Sequence, residues 1–357
     1  MTSSREADMG NAPTLYGAGF NAHQQLSANT KNDLKSFEVI YEAKNSNCRV
    51  LFAEWSTVVL VDGNRIVSRG FQQIDDNLED AAQNLTSAIG DHDGLKACVD
   101  TEGNLYLVKG EANGKQSLVR KGNESSPRIA RLARASNGRI AMIAKQAPNG
   151  NLCHLTEFES LENFQKWYQD PVGDGTYSIG HHMLPGRPKS LVANTANFVL
   201  LMESGCVWTW GDSRYRSLGR SISGEGAVHS SVPGEVQAVG GLKVVSIAAG
   251  GWQAAALSED GALYVWGAAS PGSDSGVKFL EPDEVNLVNI TGGNDDEPLD
   301  ITGVSIGSDH IAVVAENGQL YAAGNNSNGQ LGIAFGEEFV EDFQMVEELA
   351  GTSPWLG

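Results

Sequence analysis

AAGGWQAAALSEDGALYVWG, residues 248–267, sets two tryptophans and a tyrosine among six alanines and four glycines. The stretch divides at its turn. Residues 247–251, IAAGG, are small; residues 252–257, WQAAAL, are mostly apolar; SEDG at 258–261 is a polar turn; ALYVWG at 262–267 is aromatic-rich. An Asp-Gly between apolar runs is a hairpin signal, and aromatic residues favour strands. The unit reads strand, loop, strand, tight turn, strand, terminal glycine.

The same order recurs. VSIGSDHIAVVAENGQLYAAG (304–324) and LVANTANFVLLMESGCVWTWG (191–211) repeat it closely. LFAEWSTVVLVDGNRIVSRG (51–70) is weaker but in phase, LKACVDTEGNLYLVKG (95–110) keeps the second half, and GRIAMIAKQAPNGNLCHL (138–155) is the most decayed. The turn glycines are Gly63, Gly103, Gly150, Gly205, Gly261 and Gly318. A seventh fragment, LYGAGFNAHQQL (15–26), matches the late part of a unit, as in LYAAGNNSNGQLG (320–332).

Short strands in radially stacked units predict an all-β fold: a seven-bladed β-propeller closed by N- and C-terminal segments that share a blade, which removes exposed sheet edges. Small residues suit the crowded inner strands, and Trp, Tyr and Leu suit the wider gaps between blades. Residues 1–13 are expected to be a disordered N-terminus and 14–357 a single propeller, with an insertion at about 155–187. At the chain end two arrangements are expected: Trp355 anchors a reduced closing strand, or the last blade is thin.

AAGGWQAAALSEDGALYVWG and GNNSNGQLG resemble the regulator-of-chromosome-condensation repeat family, whose repeats end in an aromatic-Gly strand and a GQLG loop. The resemblance implies seven blades and several functional branches. The founding branch is a nuclear exchange factor for a Ran-type small GTPase that docks on chromatin. The alpha-tubulin suppressor branch is linked to Elongator, hence tRNA wobble-uridine modification, and to diphthamide biosynthesis. A third member is an adaptor for a JmjC oxygenase in chromatin regulation. Family repeats often carry His-Thr after the glycine loop; the matching positions here are Ser56, Leu95, Asn197, Gln253 and His310. One histidine among five leaves the exchange surface unrecognisable; resemblance to the alpha-tubulin suppressor branch implies an adaptor role in wobble-uridine modification or diphthamide formation.

The formal charge of −19 disfavours direct nucleic-acid binding, which needs cations to displace counterions. It serves solubility or steers a basic partner. No apolar run is long enough for a membrane span, and residues 1–14 lack a signal-peptide core. The four cysteines form no CxxC pair, so free thiols in a cytoplasmic or nuclear setting fit, without metal or cofactor.

TEFESLENFQKWYQDP (156–171) does not read as strand. Phe158, Leu161, Phe164 and Trp167 recur at helical spacing, Thr156 and Glu159 form a capping box, and Asp170-Pro171 is a stop signal. An amphipathic helix near 156–169 is expected, as a lid on the propeller or as a docking element. The adjacent His181 and His182 are expected in a solvent loop, since no third metal ligand accompanies them.

Chain direction places the glycine loops and the GxNxxGQLG loops on one face and the Asp-Gly turns on the other. That face should carry Trp55, Trp252, Asp309, His310, Asp212, Arg214, Tyr215, Asn325 and Asn328, with Asn21 and His23. Loops held by a rigid scaffold commonly bind ligands, and aromatic and Arg residues dominate interfaces. For each Trp the alternative is packing between blades; for Asn325 and Asn328 it is turn geometry. No nucleophile elbow, phosphate loop or zinc-helix motif occurs. The expected function is a non-enzymatic scaffold, monomeric on its own, that holds a protein partner on this face.

Overall fold

Each run of the sequence unit becomes one strand, and seven antiparallel sheets form a ring. The structure, a computed structural model, describes residues 13–75, 82–110, 115–147, 150–171, 176–269, 277–278, 280, 285–291, 297–333 and 337–349. Blade 1 has three strands, Arg49–Glu54, Thr57–Asp62 and Arg65–Gly70. Blade 2 has four: Leu85–Asp91, Gly94–Asp100, Leu105–Gly110 and Gln116–Lys121. Blade 3 comprises Ile129–Arg134, Ile140–Ala144, Leu152–Phe158 and Ser178–Pro185. Blade 4 comprises Pro188–Ala193, Asn197–Met202, Val207–Gly211 and Gly234–Glu235. Blade 5 comprises Val244–Gly250, Trp252–Ser258, Leu263–Ala268 and Asn286–Val288. Blade 6 comprises Ile301–Ile306, His310–Ala315, Leu320–Asn325 and Phe339–Met345.

The seventh sheet is the N-terminal half-unit, Thr14–Gly19 paired with Leu34–Glu42. It bridges blades 6 and 1. Lys35 Nζ donates to Ser327 O (2.8 Å) and Phe37 N to Glu348 Oε2 (3.0 Å) on the blade 6 side. On the other side, Tyr41 OH donates to Asp62 Oδ2 (2.8 Å), and the amides of Lys44 and Asn45 donate to the same carboxylate (both 2.9 Å). Burial alone would raise the Asp62 pKa, but these donors hold it below the ordinary value. The strand pairing expected between the chain's two end segments, and Trp355 with it, fall outside the described residues, as do residues 1–12.

The core is not one central mass. It is divided among the blade-to-blade interfaces, as radial stacking of two-faced sheets requires. Trp210 and Phe198 pack against Leu155 and Ile143 between blades 3 and 4. Trp266 packs with Val199, Leu201 and Val207 between blades 4 and 5. The tryptophans thus fill the gaps between blades, as expected, at these two positions.

Every complete inner strand carries a register shift near its start, at Val50/Phe52, Leu85/Ser87, Ile129/Arg131, Pro188/Ser190, Val244/Ser246 and Ile301/Gly303. A bulge adds local twist, which lets six sheets converge on an axis. The extra residues, Leu51, Thr86, Ala130, Lys189, Val245 and Thr302, share no chemistry, so the sequence does not announce them.

Two expectations need correction. The helix is Leu161–Gln169, with Ser160 as its N-cap accepting from Asn163 N (3.2 Å). Thr156 and Phe158 belong to a blade 3 strand, because a partner strand on each side satisfies their backbone. Phe164 and Tyr168 are buried between blades 2 and 3, with Leu161 and Trp167 packed beside them, so the helix acts as a lid on that interface. Ser160→Ala should destabilise by about 1 kcal/mol, the usual value of an N-cap, read as a lower urea midpoint. His181 and His182 lie in the outer strand of blade 3, not in a loop. His181 meets Thr156 Oγ1 (3.2 Å) and Ser178 Oγ (2.7 Å), and His182 lies 3.4 Å from Glu157.

Candidate functional site

Strand register fixes which loops share an end. Thr57 pairs with Gly70, Asn197 with Gly211, Trp252 with Ala268 and His310 with Gly324. Turns between inner and second strands therefore emerge beside the connections between third and outer strands. The nine candidate residues all lie at this end, in three groups.

The first group centres on Trp55. Its ring stacks on Phe20 (centroids 4.1 Å apart), and His23 stands edge-on to Phe20 (5.9 Å) and Phe71 (6.3 Å). Trp55 is 54% exposed and Phe71 68%. Buried Gln25 holds the patch rigid by donating to Phe20 O (2.7 Å) and Trp55 O (2.9 Å), while Phe71 N donates to Ser56 O (2.9 Å).

The second group joins blades 4 and 5. Asp212 accepts from Arg214 Nε (2.9 and 3.0 Å) and Nη2 (2.6 Å), and the Arg214 guanidinium holds its carboxyl below the ordinary value. Arg214 lies over the Trp252 ring (5.8 Å), and Tyr215 packs against it (4.7 Å). Trp252 itself is buried, so its main role is packing. Tyr215 and Arg216 both have positive φ, 58° and 54°.

The third group lies on blade 6. Asn325 N donates to Asp309 O (2.8 Å), and both residues, with His310, line a cavity of about 90 Å³. Burial pushes the His310 imidazole below its ordinary pKa, against the charge of Asp309, which keeps it neutral at pH 7. Asn325 Oδ1 accepts from Ser327 N (2.9 Å) and Gln330 Nε2 (2.8 Å), and Asn328 N donates to Gln330 Oε1 (3.0 Å). The Asn325 side chain thus serves its own loop, which Asn328 joins through its backbone amide.

Register refines the sequence alignment. Thr57, not Ser56, matches Asn197 and His310, whereas Asn326 matches Asn21 as the sequence alignment has it. Asn21 Oδ1 accepts from Leu26 N (2.9 Å) as Asn326 Oδ1 accepts from Leu331 N (3.2 Å). Sequence reasoning misses Phe20 and Phe71. Each directly follows a strand-ending glycine, Gly19 or Gly70, the position Asp212 holds after Gly211; that offset is the available signal.

Residues 204–257 and 301–330 match models of the regulator of chromosome condensation (RCC1) repeat. The chain carries RCC1 repeats. Over 168 residues it is 31% identical to the mouse (Mus musculus) regulator of chromosome condensation, covering 44% of this chain and 38% of the relative. It is 30% identical over 180 residues to human (Homo sapiens) RCC1 domain-containing protein 1, covering 41% and 46%. A mouse RCC1-like G exchanging factor-like protein is 28% identical over 177 residues, covering 45% and 37%. These matches span less than half the length of the relatives. Among solved structures, Prp20p of Saccharomyces cerevisiae, described with its binding to Gsp1p and histones, superimposes with a TM-score of 0.62 at 15% identity, over 93% of this chain and 84% of that one. The sequence matches thus show RCC1 repeats in two stretches, and the likeness to Prp20p shows the propeller fold. Among the described residues, no helix is long and apolar enough to cross a membrane.

Proposed function

We propose that this RCC1-repeat propeller is a non-enzymatic adaptor, cytoplasmic or nuclear, that holds a protein partner on its loop face. The observation that carries this reading is the patch of Phe20, His23, Trp55 and Phe71. Large aromatic surface is left in water on a scaffold whose buried hydrogen bonds fix it in place. Rigid, exposed aromatics lose little entropy on binding and are the usual anchors of interfaces. The family resemblance supplies the partner class: components acting in wobble-uridine modification through Elongator or in diphthamide formation. In affinity capture from native extract, Elongator subunits or small zinc proteins should be recovered with the wild type. The Trp55→Ala/Phe71→Ala variant should bind the recovered partner about 30-fold more weakly by calorimetry, the loss of a hot-spot pair. Unchanged affinity would remove the patch from the interface.

The likeness to a G exchanging factor-like protein favours a second reading, nucleotide exchange on a Ran-type GTPase. Nucleotide release measured with and without the chain separates the two: acceleration supports exchange, and an unchanged rate supports the adaptor.

A further inference from the structure

Beside the loop face, between blades 4 and 5, a groove of about 1030 Å³ opens along the connection from Gly211 to Gly234. Its size is that of a site for several residues of extended chain. Arg220 builds one wall: its guanidinium donates to the carbonyls of Thr209 (3.2 Å), Val228 (2.7 Å) and Val232 (2.9 Å). Gly234 leaves room for it, since a Cβ there would sit 2.6 Å from the guanidinium carbon. The wall is therefore held by charge-assisted bonds rather than by a long outer strand, which is reduced here to two residues.

The lining is ordered by chemistry. Arg216 stands at the end next to Tyr215 on the loop face. Ile222 and Val228, each 39% exposed, supply apolar surface. Glu235 pairs with Trp208, three residues down the strand from Gly211, and so marks the end away from the loop face; Glu225 is the other acid on the wall. Two consecutive residues with positive φ, Tyr215 and Arg216, hold the basic end in a conformation that a Cβ disfavours. Such strain marks a segment whose shape is imposed by its surroundings.

We infer that this groove binds an extended peptide segment of a protein partner, with an acidic side chain at the Arg216 end, bulky apolar side chains in the middle and a basic side chain at the Glu235 end. Complementary charge at both ends sets the register, and the apolar centre supplies affinity. The inference rests on the loop-face adaptor reading but uses residues separate from the Trp55 patch.

The test uses the full chain and fluorescein-labelled peptides Asp-Asp-Leu-Leu-Lys-Lys and Lys-Lys-Leu-Leu-Asp-Asp, with Asp-Asp-Ser-Ser-Lys-Lys as the apolar-deleted control. Fluorescence anisotropy should show saturable binding of one of the two leucine peptides below about 1 mM, with the control at least about 10-fold weaker. Ile222→Asp and Arg216→Glu should each weaken binding about 10-fold or more, and Trp55→Ala/Phe71→Ala should leave it unchanged. Urea midpoints equal to the wild type confirm that the ring is intact in each variant; Arg216→Gln serves as a milder change at the same position. Absence of saturation with both leucine peptides, or wild-type binding by Ile222→Asp, would overturn the groove assignment. Partner capture that depends on Trp55 while no peptide binds would sink the groove alone and leave the adaptor reading standing.

Discussion

Gly251→Ala should lower the unfolding free energy by about 3–4 kcal/mol, the sum of a left-handed backbone penalty and overpacking. Gly251 has φ +52°, and a Cβ there would lie 1.8 Å from the Ser308 carbonyl oxygen of blade 6. On its other side its own carbonyl accepts from Thr195 N of the blade 4 turn (2.9 Å). Three blades meet at this residue, so no single loop can move aside without breaking a contact with the next. Gly318→Ala is the matched comparison: φ is +74°, and no heavy atom lies within 4 Å of the added Cβ. It should lose only the backbone part, about 1–2 kcal/mol. Urea denaturation with an unchanged slope measures both. Equal losses would show that the blades do not press on Gly251.

Arg139→Met should destabilise strongly at pH 8 and much less at pH 5. Glu157 is 2% exposed, paired with Arg139 and 3.4 Å from His182. Burial pushes its carboxyl above the ordinary range, although Arg139 and His182 pull it down. A folded-state pKa above the unfolded one means that the native protein holds the proton more tightly. The associated stability is complete below the unfolded pKa and is lost as pH rises through the folded one. Without Arg139 that folded pKa climbs further, and above it a buried charge is left without its guanidinium partner. The expected loss at pH 8 is about 3–5 kcal/mol, the usual cost of breaking a buried pair. Adding Glu157→Gln to Arg139→Met should recover most of it, since the amide carries no charge. A loss independent of pH would mean that Arg139 acts through packing over Phe198 instead.

The repeat is legible because turns of a polar residue and glycine, third strands rich in aromatic residues and terminal glycines recur in one order, and each is a local requirement of the same blade. Positions that answer to neighbouring strands and blades are not legible. The inner-strand bulges have no residue signature, and sequence alignment misses Thr57 by one position because register depends on a partner strand. The expected capping box starts at Thr156 and the helical periodicity at Phe158, yet the helix begins at Leu161, since Thr156 to Phe158 find a strand to pair with on each side. At the site, the loop face follows from chain direction alone. The exposed aromatics do not, because exposure of Phe71 is a property of the packed ring and not of its own sequence window.

The N-terminal sheet has a consequence for how the molecule is made. Lys35 and Phe37 wait for Ser327 and Glu348, which follow 292 and 311 positions later. At ribosomal speeds that is a delay of about 15–60 s, during which the first two strands emerge without the neighbour that will flank them. Joining segments so far apart costs about 5 kcal/mol in loop entropy if the intervening chain is still unstructured, and far less once blades 1 to 6 have stacked. Assembly in order along the chain, with the first-made strands docking last, is the kinetic route this architecture favours.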